Sequence, residues 1–253
     1  MLPNLPSWDE LAQSWSGGAS SSFEAYVQHI WRIMSRGTIE TVYMVGWASL
    51  FAILVGIIFG TILYITKPGG IYSLTVVNPI IGTAINIVHR ILGTIINVGR
   101  SIPFVVLIML VFPLSRIIVG SSVGSTAAIV PLTIAAIPFM SRIVESALGE
   151  LDKGIIEAAI AAGATPLQII FRVLLPESAP GLVSGFTLLI INLITFSAMA
   201  GLVGGGGLGQ VAQSYGLFRH RQDIMIYTVI VMVLLVQIIQ ALGQFISRRL
   251  DKR

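Results

Sequence analysis

Apolar residues run with little interruption over Tyr43–Ile65, Ile91–Ser115, Ser125–Leu148, Gly181–Val203 and Ile224–Ile246. Each run has at least 23 residues, which at roughly 1.5 Å rise per residue covers a hydrocarbon core of roughly 30 Å. Barrel strands would alternate apolar and polar positions, so continuous runs of this length predict helices that satisfy their own backbone in lipid. Pro68–Val88 is uncharged apart from its flanks, but Pro68, Gly69, Gly70, Asn78, Pro79 and Asn86 interrupt it. It is expected to be a loop with a short interfacial segment rather than a sixth span. The fold class expected is all-α: a polytopic membrane bundle of about five helices. Within the first span Ala48, Ala52, Gly56 and Gly60 recur every fourth residue, forming a ridge of small side chains for close helix packing, read as a contact inside the subunit rather than a dimer seam. Ahead of it, Phe23, Tyr26, Val27, Ile30, Trp31 and Met34 fall at spacings of three or four. That pattern suits either a helix lying on the outer membrane surface or a disordered lead with one amphipathic turn.

Composition agrees with a lipid environment. Of 253 residues 55% are hydrophobic and 10% charged, with mean hydropathy +0.91, whereas a soluble domain carries about a quarter charged residues. The net charge of +4 comes from Lys and Arg scattered beside the apolar runs, without aromatic interleaving, which argues against nucleic acid. The absence of Cys excludes disulfides, thiolate metal sites and Cys nucleophiles. His29, His89 and His220 lie in separate segments without metal-ligand spacing, and no hydrolase motif occurs. Asp9 and Glu10 precede any basic residue, so no cleavable signal is read and the first span is expected to direct insertion. Placing the C-terminus inside puts nine Lys and Arg in the cytoplasm and five (Arg32, Arg36, Arg116, Arg219, Arg221) outside, as the positive-inside bias requires. Residues 1–37 then form an outer-face tail, 38–250 the membrane domain, and 247–253 a basic cytoplasmic end.

The longest polar interruption, 145–180, falls on the expected cytoplasmic side and contains LDKGIIEAAIAAGATPLQIIFRVLLPESAPG. Ile155, Ala158, Ala159 and Ala162 can share a helical face, and Gly163 suits a left-handed helix stop. Thr165, Pro166 and Gln168 fit an N-cap, a first helical position and the close of a capping box. A second short helix is expected to reach Leu175 and stop at Pro176. Two ordered helices exceed what a connector needs.

Glu157-Ala158-Ala159, three residues, Gly163, nine residues, then Val173-Leu174-Leu175-Pro176 resembles the EAA loop of ABC importer permeases, E-A-A-x3-G-x9-I-x-L-P, with Val173 in the Ile position. Arg100-Ser101-Ile102-Pro103-Phe104, Ala128-Ile129-Val130-Pro131-Leu132, Ser197-Ala198-Met199 and Gly205-Gly206-Gly207-Leu208-Gly209-Gln210 extend the resemblance to the methionine-import permeases over about residues 38–250. The resemblance implies a type I importer permease in a bacterial inner membrane, working as a homodimer with two ATP-binding subunits and an external substrate-binding protein or lipoprotein. ATP and Mg would belong to the partner subunits. Independently, the chain has no Gly-Lys dipeptide and so no phosphate-binding loop of its own; it is expected to be no enzyme. Glu157, Ala158, Ala159, Gly163 and Pro176 are the coupling candidates, with Glu157 free to pair a basic group and Gly163 setting the turn.

Arg100 is the one basic residue well inside an expected span, beside an expected break at Pro103, with Glu145 either its partner or facing water. A structural or gating role is favoured for it over substrate binding. Asn192, Phe196, Ser197 and Met199 complete the pathway candidates. Gly204–Gly207 is expected to be a flexible outer turn beside the binding protein. The alternative from another class, an ion-coupled secondary transporter, would be expected to hold acidic groups at mid-membrane depth. None occurs between Tyr43 and Ser115 or between Ser178 and Gln222.

Overall fold

The computed structural model describes residues 23–68 and 79–251. Its helices are α1 (Phe23–Thr66), α2 (Pro79–Ser101), α3 (Phe104–Val119), α4 (Ser125–Gly149), α5 (Lys153–Ala161), α6 (Pro166–Ile169), α7 (Ala179–Leu202), α8 (Gly207–Val211) and α9 (Gln222–Leu250). α6 widens into a π turn over Ile170–Leu174 and closes with Leu175–Glu177; α8 continues as a π turn over Ala212–Leu217. Five of these helices are long and apolar enough to cross a membrane, and α3 is a shorter apolar helix. The all-helical class and the five long helices are as expected.

α4 is the hub, touching α1, α2, α3 and α7. Its contact with α1 is the small-residue ridge, used inside the subunit. Ala48 and Ala52 are fully buried, and a Cβ on Gly56 or Gly60 would meet Met140 or Val144 side chains at 2.5 Å. Backbones this close admit no larger residue without shifting a helix. Leu132, Met140, Val144 and Leu148 of α4, with Leu189 and Leu193 of α7, fill the centre.

Neighbouring residues fix how deep each helix lies. α1 and α4 run parallel, with Gly60 against Val144 at one end and Glu40 beside Gly206 and Ser125 at the other. These are called here the loop end and the glycine end. Along that pair α2 climbs from the loop end: His89 Nδ1 is 3.2 Å from Leu63 O, and Gly99 abuts Pro138, in the middle of α4. α3 carries the traverse on, Ile118 and Val119 lying near Tyr43 and Thr126. The expected span Ile91–Ser115 is therefore one traverse made by two helices, broken at mid-depth where Pro103 lacks the N–H that would continue α2. α2 also begins earlier than expected, at Pro79, so its first turns project past the end of α1. Residues 69–78 lie outside the described residues.

Three further expectations are corrected. The 44 residues of α1, about 66 Å at roughly 1.5 Å per residue, are continuous from Phe23. The expected surface-lying segment is thus the first part of α1, and Met34, Ile33 and Ile30 pack against Leu208, Val211, Tyr215 and Ile224. Among the described side chains of the expected apolar stripe, Trp31 and Val27 are the strongly exposed ones. Residues 1–22 of the expected tail lie outside the description.

The glycine run is no loose turn. Gly205–Gly209 are buried; Gly207 N–H donates to Glu40 Oε2 at 2.8 Å and Leu208 N–H to Thr41 Oγ1 at 2.9 Å. Glu40 also takes Arg36 Nε at 2.9 Å. Finally, Pro176 does not end a helix: Leu174 O accepts the Ser178 N–H at 3.0 Å, and α7 starts one residue later. The π turn explains this, since its wider register, with Leu175 N–H on Ile170 O, re-spaces the backbone ahead of a residue that has no N–H to offer.

Candidate functional site: a docking hairpin and a mid-depth cavity

At the loop end the chain leaves the bundle as a hairpin of α5 and α6. Asp152 Oδ1 caps α5 by accepting Gly154 N–H at 2.8 Å. The helix stops in a Schellman pattern: Ala164 N–H reaches Ala159 O at 3.1 Å and Gly163 N–H reaches Ile160 O at 2.9 Å, with Gly163 at φ +76. A side chain there would strain the left-handed backbone. Thr165 then opens α6 with the expected capping box: Thr165 N–H donates to Gln168 Oε1 at 2.9 Å and Gln168 N–H to Thr165 Oγ1 at 3.4 Å.

The hairpin presents one side to the core and another outward. Ile156 is buried, with Ala159 and Ile160 packed beside it; the expected face of Ile155, Ala158, Ala159 and Ala162 is split, because Ala158 and Ala162 are exposed. Outward lie Glu157, Ala158 and Ala161, with Leu167 63% and Phe171 65% exposed nearby in sequence, one helical turn apart. Apolar side chains held on so ordered a support, flanked by a free carboxylate, form a surface shaped for a partner. Among the coupling candidates, Glu157 and Ala158 are on that surface, Ala159 faces inward, Gly163 forms the turn, and Pro176 sits in the rod joining hairpin to α7.

Half-way along the bundle the break between α2 and α3 opens a cavity of about 220 Å³. Arg100 and Asn192 line it together with Phe104, Phe139 and Phe196, and Phe104 stacks on Phe196 with centroids 4.6 Å apart. Three of the five pathway candidates thus meet in one place. Ser197 does not join them: it is buried and its hydroxyl donates to Ile194 O at 2.7 Å. Met199 packs against the main core. Glu145 is no partner of Arg100 and does not simply face water. It pairs with Arg142, whose other nitrogen donates to Asn97 Oδ1 at 2.9 Å, tying α4 to α2. Phe104 and Phe139 were missed by the sequence reading because nothing in an apolar run separates a wall residue from a packing one. Among the described residues no group of His, Asp or Glu could hold a metal ion.

A multi-helix membrane bundle with a broken helix at mid-depth and a capped hairpin protruding from one end is the architecture of a transport component that works on a partner. The family model for the binding-protein-dependent transport system inner membrane component matches residues 80–253, and the chain belongs to that family. A Vibrio cholerae protein described as a probable D-methionine transport system permease protein, MetI, is 46% identical over 87% of this chain and 93% of its own length. A Bacillus subtilis methionine import system permease protein, MetP, is 40% identical over 85% of this chain and 92% of its own. Among solved structures, a chain of the inward-facing MetNI methionine ABC transporter superposes with TM-score 0.81 at 42% identity, covering 87% of this chain and 97% of that one. The chain is accordingly an inner-membrane, multi-pass permease of an ABC system, the transporting rather than the catalytic part, and the ion-coupled alternative is set aside.

Proposed function

We propose that this chain is the permease of an ATP-driven importer for methionine, acting as a homodimer with two ATP-binding subunits on the cytoplasmic side and an external binding protein. More specifically, the loop end faces the cytoplasm and the hairpin seats in a groove of the ATP-binding subunit. The observation carrying this reading is the outward side of the hairpin, where Glu157, Ala158, Leu167 and Phe171 are exposed on a doubly capped frame. The basic residues support the orientation, nine on the loop side against five on the other. The methionine assignment follows the printed names of the relatives.

Glu157 would pair with a basic group in the groove while Leu167 and Phe171 bury apolar surface there. ATP can drive the permease only if it binds the two access states with different affinity, so closure of the ATP-binding pair must pull the hairpins together. The hairpin leads into α7 through a single turn residue, Ser178, and α7 carries Asn192 and Phe196 to the mid-depth cavity. Co-purification with neighbouring-gene products, followed by substrate-stimulated ATP hydrolysis and vesicle uptake, tests this. Uptake should need internal ATP and the ATP-binding subunit; uptake driven by an ion gradient alone would overturn it.

A further inference from the structure

We propose that the cavity at the α2–α3 break is a transit site for a free α-amino acid, with Arg100 holding the carboxylate, Asn192 meeting the ammonium, and the Phe104–Phe196 stack with Phe139 bounding the side chain. It rests on the import reading above and adds a binding site inside the permease itself.

Four observations converge. First, Arg100 lies at mid-depth, next to Gly99, which abuts Pro138 in the middle of α4, and it has no hydrogen bond or ion pair among the described residues. An arginine at that depth is costly unless something answers it. The acid that could have done so, Glu145, is taken by Arg142. Second, the side chain of Asn192 also has no partner among the described residues and lines the same cavity. Its amide oxygen can accept from an ammonium.

Third, the cavity lies where a broken helix offers opposite partial charges. α3 starts at Pro103 without a side-chain cap, so its first N–H groups favour an anion, while the last carbonyls of α2 favour a cation. This complements a zwitterion and suits neither a neutral sugar nor a metal ion. Fourth, about 220 Å³ is room for about seven waters at roughly 30 Å³ each. A single amino acid fits. The stacked Phe104 and Phe196 leave an apolar wall, and a thioether packs well against aromatic rings.

The test uses the purified permease–ATPase complex without its binding protein, so that selectivity belongs to the permease. Radiolabelled methionine should bind, methioninamide, which lacks the carboxylate, should compete at least about ten-fold less well, and Arg100→Gln should lose at least about ten-fold in affinity. Arg100→Lys should keep part of the binding and Asn192→Ala should lose less than Arg100→Gln. Arg116→Gln, a cation on α3 outside the cavity, should leave binding unchanged. Equal competition by the amide, or unaltered binding by Arg100→Gln, overturns the proposal. So does Arg100→Gln that binds methionine normally but no longer holds the two permeases together, because Arg100 then answers a second copy. If the complex binds no methionine while vesicles still import it, only the transit site falls; if vesicles import no amino acid, the import reading falls with it.

Discussion

The two ends of the bundle solve opposite problems. At the glycine end, buried polar groups close on one another: Glu40, 5% exposed, joins Arg36 to the Gly207 backbone, and Thr41 takes Leu208. Nearby, Tyr26 Oη donates to Asp223 at 2.6 Å, and Arg221 grips the same carboxylate at 3.0 and 2.8 Å. At the loop end the hairpin's own polar groups serve its local frame, and large apolar side chains on it are left exposed. The contrast separates stability from transmission. One end is welded to keep α1, α7, α8 and α9 in register; the other leaves contacts unmade so that a partner can make them.

Substitutions can break that contrast one end at a time. The largest effect on transport is expected from Glu157→Lys, which reverses the charge proposed to pair in the partner's groove and should cut ATP-driven uptake about 100-fold. The thermal midpoint of the permease alone should stay where it was; a lower midpoint would mean that Glu157 serves the fold. Glu40→Ala should do the converse. Removing one partner of a buried pair costs about 3 kcal/mol, which should lower the midpoint by roughly 10 °C, while capture of the ATP-binding subunit by the remaining folded protein is unaffected. Gly163→Val comes next, since a β-branched residue at φ +76 costs about 1–2 kcal/mol. Uptake should fall about ten-fold through a distorted hairpin. Thr165→Ala should be mildest, about 1 kcal/mol for the lost cap, seen as faster amide exchange in α6 with uptake largely kept.

What could be read from sequence follows the range of the forces involved. The Schellman stop at Gly163 and the Thr165 capping box depend on residues at most a few positions apart, so their spacing is their signature. The Ala48–Gly60 ridge was equally legible, because helical periodicity places small residues on one line whatever they face. Glu40 was not. It reads as one more charge in a polar lead, yet its second partner is 167 positions away, beyond any local pattern. The glycine run misled for the same reason: composition suggests looseness, and only the carboxylate and hydroxyl arriving from α1 make it rigid. Pro103 and Pro176 teach a related lesson. Each announces a missing N–H, but whether the chain breaks, as between α2 and α3, or re-spaces, as in the π turn before α7, depends on the neighbours it must reach.

That re-spacing has a mechanical consequence. From Ala179 to Asn192 the chain is one helix, a rod of about 20 Å at roughly 1.5 Å per residue. Tilting such a rod by about 10° about its hairpin end swings the far end by about 3 Å, the length of a hydrogen bond. A small rotation imposed at the hairpin is therefore enough to move the Asn192 amide relative to Arg100 by the reach of one polar contact. The proline that looks like a stop in the sequence instead keeps the hairpin within one turn of that lever.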